Sequence, residues 1–323
     1  MPPEKKFDVT AIGSTMLRLS VPSGERLESA GTFQVHTAGT ESNTLTALSR
    51  MGLKTGWVSR LGDSPLGRRV AREIHSFGVD TSRVIWAPGE RNEVFFVEYG
   101  ASPRGIQVLY DRGGAAVTRL TFDQLDLDYL LDTRVYHATG ILAALSAACR
   151  DTALQAMQAA RAAGVQVSFD VNYRSKLWGA ATAAAAMAPF MEISDILFIT
   201  REDAADLFQL TGGPEEVVRS AYERFRPQIC VITLGGDGAI AYDGRGFYRC
   251  GSHPVDTVDR LGAGDCFTAG FLCGYLEGSP VDGMRYGSAM AAIKLGIRGD
   301  YFLSDRQEVL RVLGAAGGRE VGR

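Results

Sequence analysis

The chain has 323 residues and a mass of 34.7 kDa, enough for two average domains or for one large α/β domain with a substantial core. Hydrophobic residues make up 46% and charged residues 22%, which excludes a disordered, collagenous or coiled-coil chain. Thirty-four basic residues against 37 acidic ones leave a net charge of −3 without a long basic run, so no nucleic acid and no membrane surface is expected as a partner. The segment Met1 to Lys6 is short and polar, unlike a secretory signal, and Gly, Arg or Asp interrupt every apolar run before the roughly 20 residues of a membrane helix. A cytoplasmic location is expected. Cys149, Cys230, Cys250, Cys266 and Cys273 are odd in number and scattered, which suggests neither a disulfide framework nor a zinc site.

In chain order, a continuous apolar run at Phe7 to Ile12 predicts a first strand. Leu17 to Val35 is rich in turn residues and short strand-like pieces. Helices are predicted over Glu41 to Met51 and Leu66 to Phe77. Glu93 to Tyr99 and Gly105 to Arg112 read as a β-hairpin around Gly100 to Arg104, with no following helix. Strands Val135 to Ala138, Val165 to Phe169, Ile196 to Ile199 and Ile229 to Leu234 then alternate with helices Ser146 to Ala163, Glu202 to Leu210 and Glu215 to Phe225. Helices Cys266 to Leu276, Val281 to Leu295 and Asp305 to Leu313 follow. Apolar strand runs without alternation suit a parallel sheet covered on both faces, so the pattern predicts a three-layer αβα sandwich with a mostly parallel central sheet. The segments 17–35 and 93–112 are expected to form a small β-sheet lid on a single domain spanning 1–323, and the tail from Gly314 to Arg323 to fray.

Leu261-Gly262-Ala263-Gly264-Asp265-Cys266-Phe267 carries the strongest chemical signal. Small residues at 262 to 264 let backbone N–H groups approach an anion, and the apolar run after them starts a helix whose positive end faces it. Asp265, in the first turn, would be held ionised and available to take a proton from an attacking hydroxyl. A tight loop with an acidic helix cap fits the same spacing. Val231-Ile232-Thr233-Leu234-Gly235-Gly236-Asp237-Gly238 ends a buried strand in a glycine turn, where open α/β sheets bind nucleotides. Neither a phosphate loop of the Gly-x-x-x-x-Gly-Lys-Ser/Thr type nor a dinucleotide fingerprint occurs.

Gly39-Thr40-Glu41-Ser42-Asn43 opens a helix and can offer free N–H groups and the Asn43 amide to hydroxyl groups, or can simply cap that helix through Thr40 or Ser42. Phe169-Asp170-Val171-Asn172-Tyr173-Arg174 is a strand end running into a polar, aromatic and basic loop, a common cleft lining. Arg174 can equally be a solvated surface arginine. The histidines His36, His75, His137 and His253 have no metal-ligand spacing.

The order of these motifs resembles the ribokinase-like (PfkB-type) carbohydrate kinases over residues 7 to about 313. Met16 to Ser20, Leu61 to Gly67, Val108 to Arg112, Phe169 to Trp178 and Lys294 to Asp300 are similar to 2-keto-3-deoxygluconate kinases in particular. The resemblance implies ATP-dependent phosphorylation of a terminal hydroxyl with Mg²⁺, Asp265 as base, and Gly262, Ala263 and Gly264 as the anion hole. It also implies that Thr233, Gly235, Gly236, Asp237, Gly238, Asn172 and Arg174 border the nucleotide, together with Gly262 and Gly264. A sugar acid would meet Gly39 to Asn43, Tyr110, Arg112, Arg174, Asp265 and Asp300, and guanidinium groups suit its carboxylate because they bind it bidentately.

The chain departs from the pattern in three places. Gly13-Ser14 stands where a Gly-Glu pair is common, Phe95 aligns with a tyrosine of the lid, and Thr200 to Asp203 keeps only the acidic end of an Asn-x-x-Glu element, leaving Asp203 as the one candidate metal ligand. Fructokinase, ribokinase and 2-keto-3-deoxygalactonate kinase activities, and a non-catalytic sugar sensor, are the rival readings. The lid aromatics Phe95, Phe96 and Tyr99 are expected to be exposed, and can close on the chain's own cleft or pair with a second subunit.

Overall fold

A computed structural model describes residues 5–100 and 103–315. The tail beyond 315, expected to fray, the first four residues and part of the hairpin tip lie outside the described residues. In chain order the strands are β1 (Phe7–Ile12), β2 (Met16–Ser20), β3 (Gln34–Ala38), β4 (Thr55–Val58), β5 (Arg60–Gly62), β6 (Ile85–Ala87), β7 (Val94–Glu98), β8 (Gln107–Asp111), β9 (Thr133–Thr139), β10 (Gln166–Asp170), β11 (Ile196–Thr200), β12 (Ile229–Thr233), β13 (Ala239–Tyr242) and β14 (Phe247–Cys250). The helices are α1 (Thr40–Arg50), α2 (Pro65–Ser76), α3 (Leu127–Leu131), α4 (Gly140–Leu145), α5 (Ala147–Ala162), α6 (Ala180–Glu192), α7 (Arg201–Phe208), α8 (Pro214–Phe225), α9 (Ala263–Glu277), α10 (Pro280–Leu295) and α11 (Arg306–Ala315).

The central sheet runs β14-β13-β12-β11-β10-β9-β1-β4, parallel from β4 to β12, with β13 and β14 antiparallel at one edge. Alternation along single strands explains the apolar runs. Leu197 and Ile199 pack among α3–α8, whereas Ile196 and Phe198 pack among α1, α2 and α9–α11, so each side chain of the strand meets a helical layer. The three-layer architecture is therefore as the sequence predicts. From β1 the chain moves out to β4 on one side and comes back to β9 on the other. That switch of direction opens a crevice at the carboxyl ends of the strands, where Gly13, Thr139, Asp170, Thr200 and Thr233 lie.

A second sheet, β3-β2-β7-β8, is built from the two segments that break the βα rhythm. Its inner face holds Met16, Ala38, Phe95 and Val97, with Tyr110 and Leu261 packed against them. The period of two corrects one expectation: Phe95 is buried against Tyr110 rather than exposed, and Phe96 points to the opposite face. Between β2 and β3, residues 21–33 form turns without a strand.

Three further differences bear on the site. Helix α9 starts at Ala263, three residues before the apolar run, so the small residues form its first turn instead of a loop ahead of it. The alanine-rich α6, with Pro189 inside, went unread, and so did the β13–β14 pair. No helix among the described residues is long and apolar enough to cross a membrane, and the five cysteines are free.

Candidate active site

Gly262 caps α9 with φ of +82°, and a Cβ there would lie 2.2 Å from the Asp300 carbonyl oxygen. Only glycine meets both conditions. Three residues on, the Asp265 side chain is 7% exposed and sits where three parts of the chain converge. Asn43 on α1 donates its Nδ2 to Asp265 Oδ2 at 2.6 Å, and Asn172, after β10, brings its Nδ2 within 3.5 Å of Oδ1. Asn172 has φ of +39°, a left-handed conformation that asparagine tolerates, and its N–H donates to Asp170 Oδ1 at 3.1 Å. Burial pushes the Asp265 carboxyl up to about 6, against the Asn43 hydrogen bond and the Arg174 charge, which both favour ionisation. Asp170 is pushed up to about 7, by burial first and then by the charges of Asp265 and Asp203. Its Oδ2 accepts from Thr268 Oγ1 at 3.3 Å, one turn beyond Asp265.

A cavity of about 430 Å³ opens at the first turn of α9, lined there by Ala263, Gly264 and Phe267 but not by Asp265 itself. Thr233, Gly235, Gly236 and Gly238 wall it on the sheet side, and Ala263 and Gly264 at the helix start. First-turn amides lack intrahelical acceptors and carry the positive end of the helix dipole, so this wall suits an anion. Asp237, Asn172, Arg174 and Gly262 are not on its wall, although all four were expected near a nucleotide. The sequence reading missed the opposite wall of Ser252, His253, Val255, Thr257, Ser288, Ala291, Ala292 and Leu295, together with Arg260 and Phe267. The run of small residues on α10 was the available signal, and it looks like ordinary helix packing.

Beside Asp265 lie the start of α1 and the small sheet. Neither Thr40 nor Ser42 caps α1, since the N-cap is Gly39. Ser42 accepts from Thr15 Oγ1 at 2.7 Å and donates to Gly39 O at 3.0 Å. Glu41 is fully buried, accepts from Thr139 Oγ1 at 2.6 Å and is pushed up to about 8 by burial, so it is mostly protonated at neutral pH. Its other oxygen has no partner among the described residues.

Arg112 is already engaged. Its Nε donates to Glu93 Oε1 at 2.8 Å and its Nη2 to Ser14 Oγ at 3.1 Å, while Ser14 also bonds Glu93 Oε2. The serine that departs from the common Gly-Glu pair thus meets a glutamate from another segment. Tyr110 stacks on Phe95 with ring centroids 5.7 Å apart, and Lys176 Nζ donates to Val108 O at 2.8 Å, tying the loop after β10 to β8. Arg174 is exposed, bonds only the Tyr173 carbonyl at 3.0 Å, and has no carboxylate within ion-pair reach among the described residues.

Asp300 is buried beneath Gly262 and bonded to Arg18, so its side chain is committed within the protein. Asp203 lies in the first turn of α7, where its N–H donates to Thr200 Oγ1 at 2.9 Å and its Oδ2 accepts from Tyr173 N at 3.4 Å. Burial raises its carboxyl. Among the described residues no group of three or more potential ligands is close enough to cage a metal ion.

A carboxyl of tunable charge at a helix mouth, with an anion-accepting cavity at the same helix turn and polar groups nearby, can strip a hydroxyl while a phosphate is held beside it. Such an arrangement suits a phosphotransferase acting on an alcohol. The chain belongs to the pfkB family of carbohydrate kinases, whose signature matches residues 6–306. It is similar to the 2-dehydro-3-deoxygalactonokinase of Haloferax volcanii, with 39% identity over 307 residues covering 95% of this chain and 96% of that one. It is also similar to the 2-dehydro-3-deoxygluconokinase of Bacillus subtilis, with 32% identity covering 91% of each chain. The crystal structure of the 2-dehydro-3-deoxygluconokinase of Thermotoga maritima matches with a TM-score of 0.90 at 28% identity, over 95% of this chain and 99% of that one.

If Asp265, with its carboxyl raised to about 6, is the base, it must be ionised to act, and activity should be kept above that pH and lost below it. The profile of log kcat/KM against pH should show an acid limb bending near pH 6 with a slope of about one. A profile flat down to pH 4.5 contradicts the assignment of Asp265.

Proposed function

We propose that the protein is an ATP-dependent sugar-acid kinase that phosphorylates the terminal hydroxyl of a 2-keto-3-deoxy sugar acid, 2-keto-3-deoxygluconate being the substrate expected from the sequence motifs. The observation that carries this reading is the position of Asp265, bonded to Asn43 at 2.6 Å, in a first turn whose Ala263 and Gly264 wall the 430 Å³ cavity. The identity of 39% to a kinase named for the galactonate epimer favours 2-keto-3-deoxygalactonate as a second reading. The two acids differ in the configuration of one hydroxyl, worth about 1–3 kcal/mol when a buried partner is left unpaired.

In this reading ATP occupies the cavity with its phosphates near the amides of Ala263 and Gly264, and the sugar acid lies between α1 and the small sheet. Asp265 takes the proton of the terminal hydroxyl as the new O–P bond forms and the bond to the leaving oxygen of ADP breaks, so the work of the protein is positioning and charge stabilisation. The absence of a carboxylate cage among the described residues fits Mg²⁺ carried mainly by phosphate oxygens and water, with Asp203 as the residue that would help hold it. The ion would neutralise phosphate charge. The small sheet acts as a lid that excludes water, without which ATP would be hydrolysed in place of transfer.

The carboxylate of the substrate falls to Arg174. Arg112 already faces Glu93 and has only its remaining donors to offer, whereas Arg174 is unpaired by any carboxylate among the described residues. Assay of ATP turnover against both 2-keto-3-deoxy acids, ribose and fructose tests this. The acids should exceed the neutral sugars by more than about tenfold in kcat/KM, and Arg174→Ala should narrow that ratio by at least about tenfold. A preference for ribose or fructose contradicts the sugar-acid reading, and an unchanged ratio contradicts the role of Arg174.

A homo-oligomer formed through the lid is the remaining element of the reading. Val35, Leu19, Phe96 and Leu109 pair across all four strands of the small sheet, with Leu109 61% exposed and Phe33 edge-on to Phe96. A monomer seldom leaves such a row bare. Sedimentation should give a dimer or larger for the wild type and a smaller species for Leu109→Glu; a monomeric wild type contradicts the pairing.

A further inference from the structure

Arg18, at the centre of β2, is wholly buried, although neither the motif readings nor the proposed reaction gives it a part. Its guanidinium reaches out of the lid sheet to two distant carboxylates. Nη2 donates to Asp259 Oδ2 at 2.8 Å, Nη1 donates to Asp300 Oδ2, and Nε donates to Ser20 Oγ at 3.0 Å. Tyr99, just after β7 and so also on the lid side, donates its hydroxyl to the same Asp259 Oδ2 at 2.7 Å. Two guanidinium groups sit within cation–π distance of the Tyr99 ring, Arg18 Cζ at 5.6 Å and Arg298 Cζ at 5.5 Å from its centroid.

Both carboxylates border the turn that opens α9. Asp259 Oδ1 accepts from the N–H of Leu261 at 3.1 Å and Oδ2 from the N–H of Gly299 at 3.0 Å, so this one side chain joins the turn to the segment after α10. Lys294 Nζ, also buried, completes the joint by donating to Ile297 O at 2.9 Å and lying 3.5 Å from Asp259 O. Asp300 presents its backbone carbonyl to the α-carbon of Gly262, where a methyl group would have no room. Two lid side chains therefore grip the two residues that set the place of Gly262 and of the amides behind it.

A stabilising role alone explains this poorly. A buried ion pair gains little over apolar side chains of the same volume, because removing the charges from water offsets their attraction, but it fixes geometry through its hydrogen bonds. We propose that Arg18 and Tyr99 are positioning residues: through Asp259 and Asp300 they seat the 259–264 turn, so that one buried network sets both the lid and the amide-lined helix mouth. The inference rests on the reading of that helix mouth as the phosphoryl site.

The test uses Tyr99→Phe, which keeps the ring and removes one hydrogen bond, and Arg18→Lys compared with Arg18→Met. Each is assayed on whichever sugar of the substrate panel the wild type phosphorylates, so an error in the substrate class leaves the test intact. Thermal melting gives the folded fraction by which rates are corrected. Misplacement of reacting groups costs up to about 10²-fold. Accordingly, Tyr99→Phe should lower kcat about tenfold with both KM values within about twofold, and Arg18→Lys should keep several-fold more kcat than Arg18→Met. Wild-type kcat in the folded Tyr99→Phe and Arg18→Lys proteins overturns the proposal. So does a loss that vanishes on correction for folded fraction, or one expressed only in KM.

Discussion

As the proposed base, Asp265 must be out of water and still able to carry a charge, and most of the surrounding structure is consistent with that demand. Burial alone would keep the carboxyl neutral. The Asn43 amide, the positive end of α9 and the nearby Arg174 oppose that tendency, and the balance of about 6 leaves it mostly ionised at neutral pH. Holding the helix end in place requires Gly262 against Asp300, and α9 itself lies so close to α10 that a Cβ on Gly270 would meet Tyr286 O at 2.6 Å. Segments from the first helix to the last loop therefore converge on the place of this one carboxylate.

The central sheet was legible because both of its faces are covered. A strand such as Ile196–Thr200 has no polar side to dilute its apolar run, and β1 was read residue for residue at Phe7–Ile12. The elements that escaped lack such contrast. Helix α6 is mostly alanine interrupted by Pro189, and β14, Phe247–Cys250, is a four-residue edge strand carrying an arginine.

Within the site, the glycine turns and Asp265 stood out because small residues before an acidic helix start allow close approach to a ligand, although the same spacing also fits a plain acidic helix cap. The far wall of the cavity did not, since Ala291, Ala292 and Leu295 are what any packed helix carries. The partners of Arg18 are 241 and 282 positions away, and no local pattern can announce a contact of that span. The same blindness hid Glu93, which turns Arg112 from a free cation into half of a pair. Fold legibility came from periodicity and site legibility from glycine; the electrostatics emerged only in three dimensions.

The most direct measurement is calorimetric titration of Asp265→Asn with nucleotide and with sugar, alongside its turnover. The substitution is isosteric and can keep a hydrogen bond to the Asn43 side chain, so both ligands should bind within a few-fold of wild type while kcat falls by about 10²- to 10⁴-fold. A variant that binds both ligands and turns over at the wild-type rate would show that the buried carboxylate is not the base.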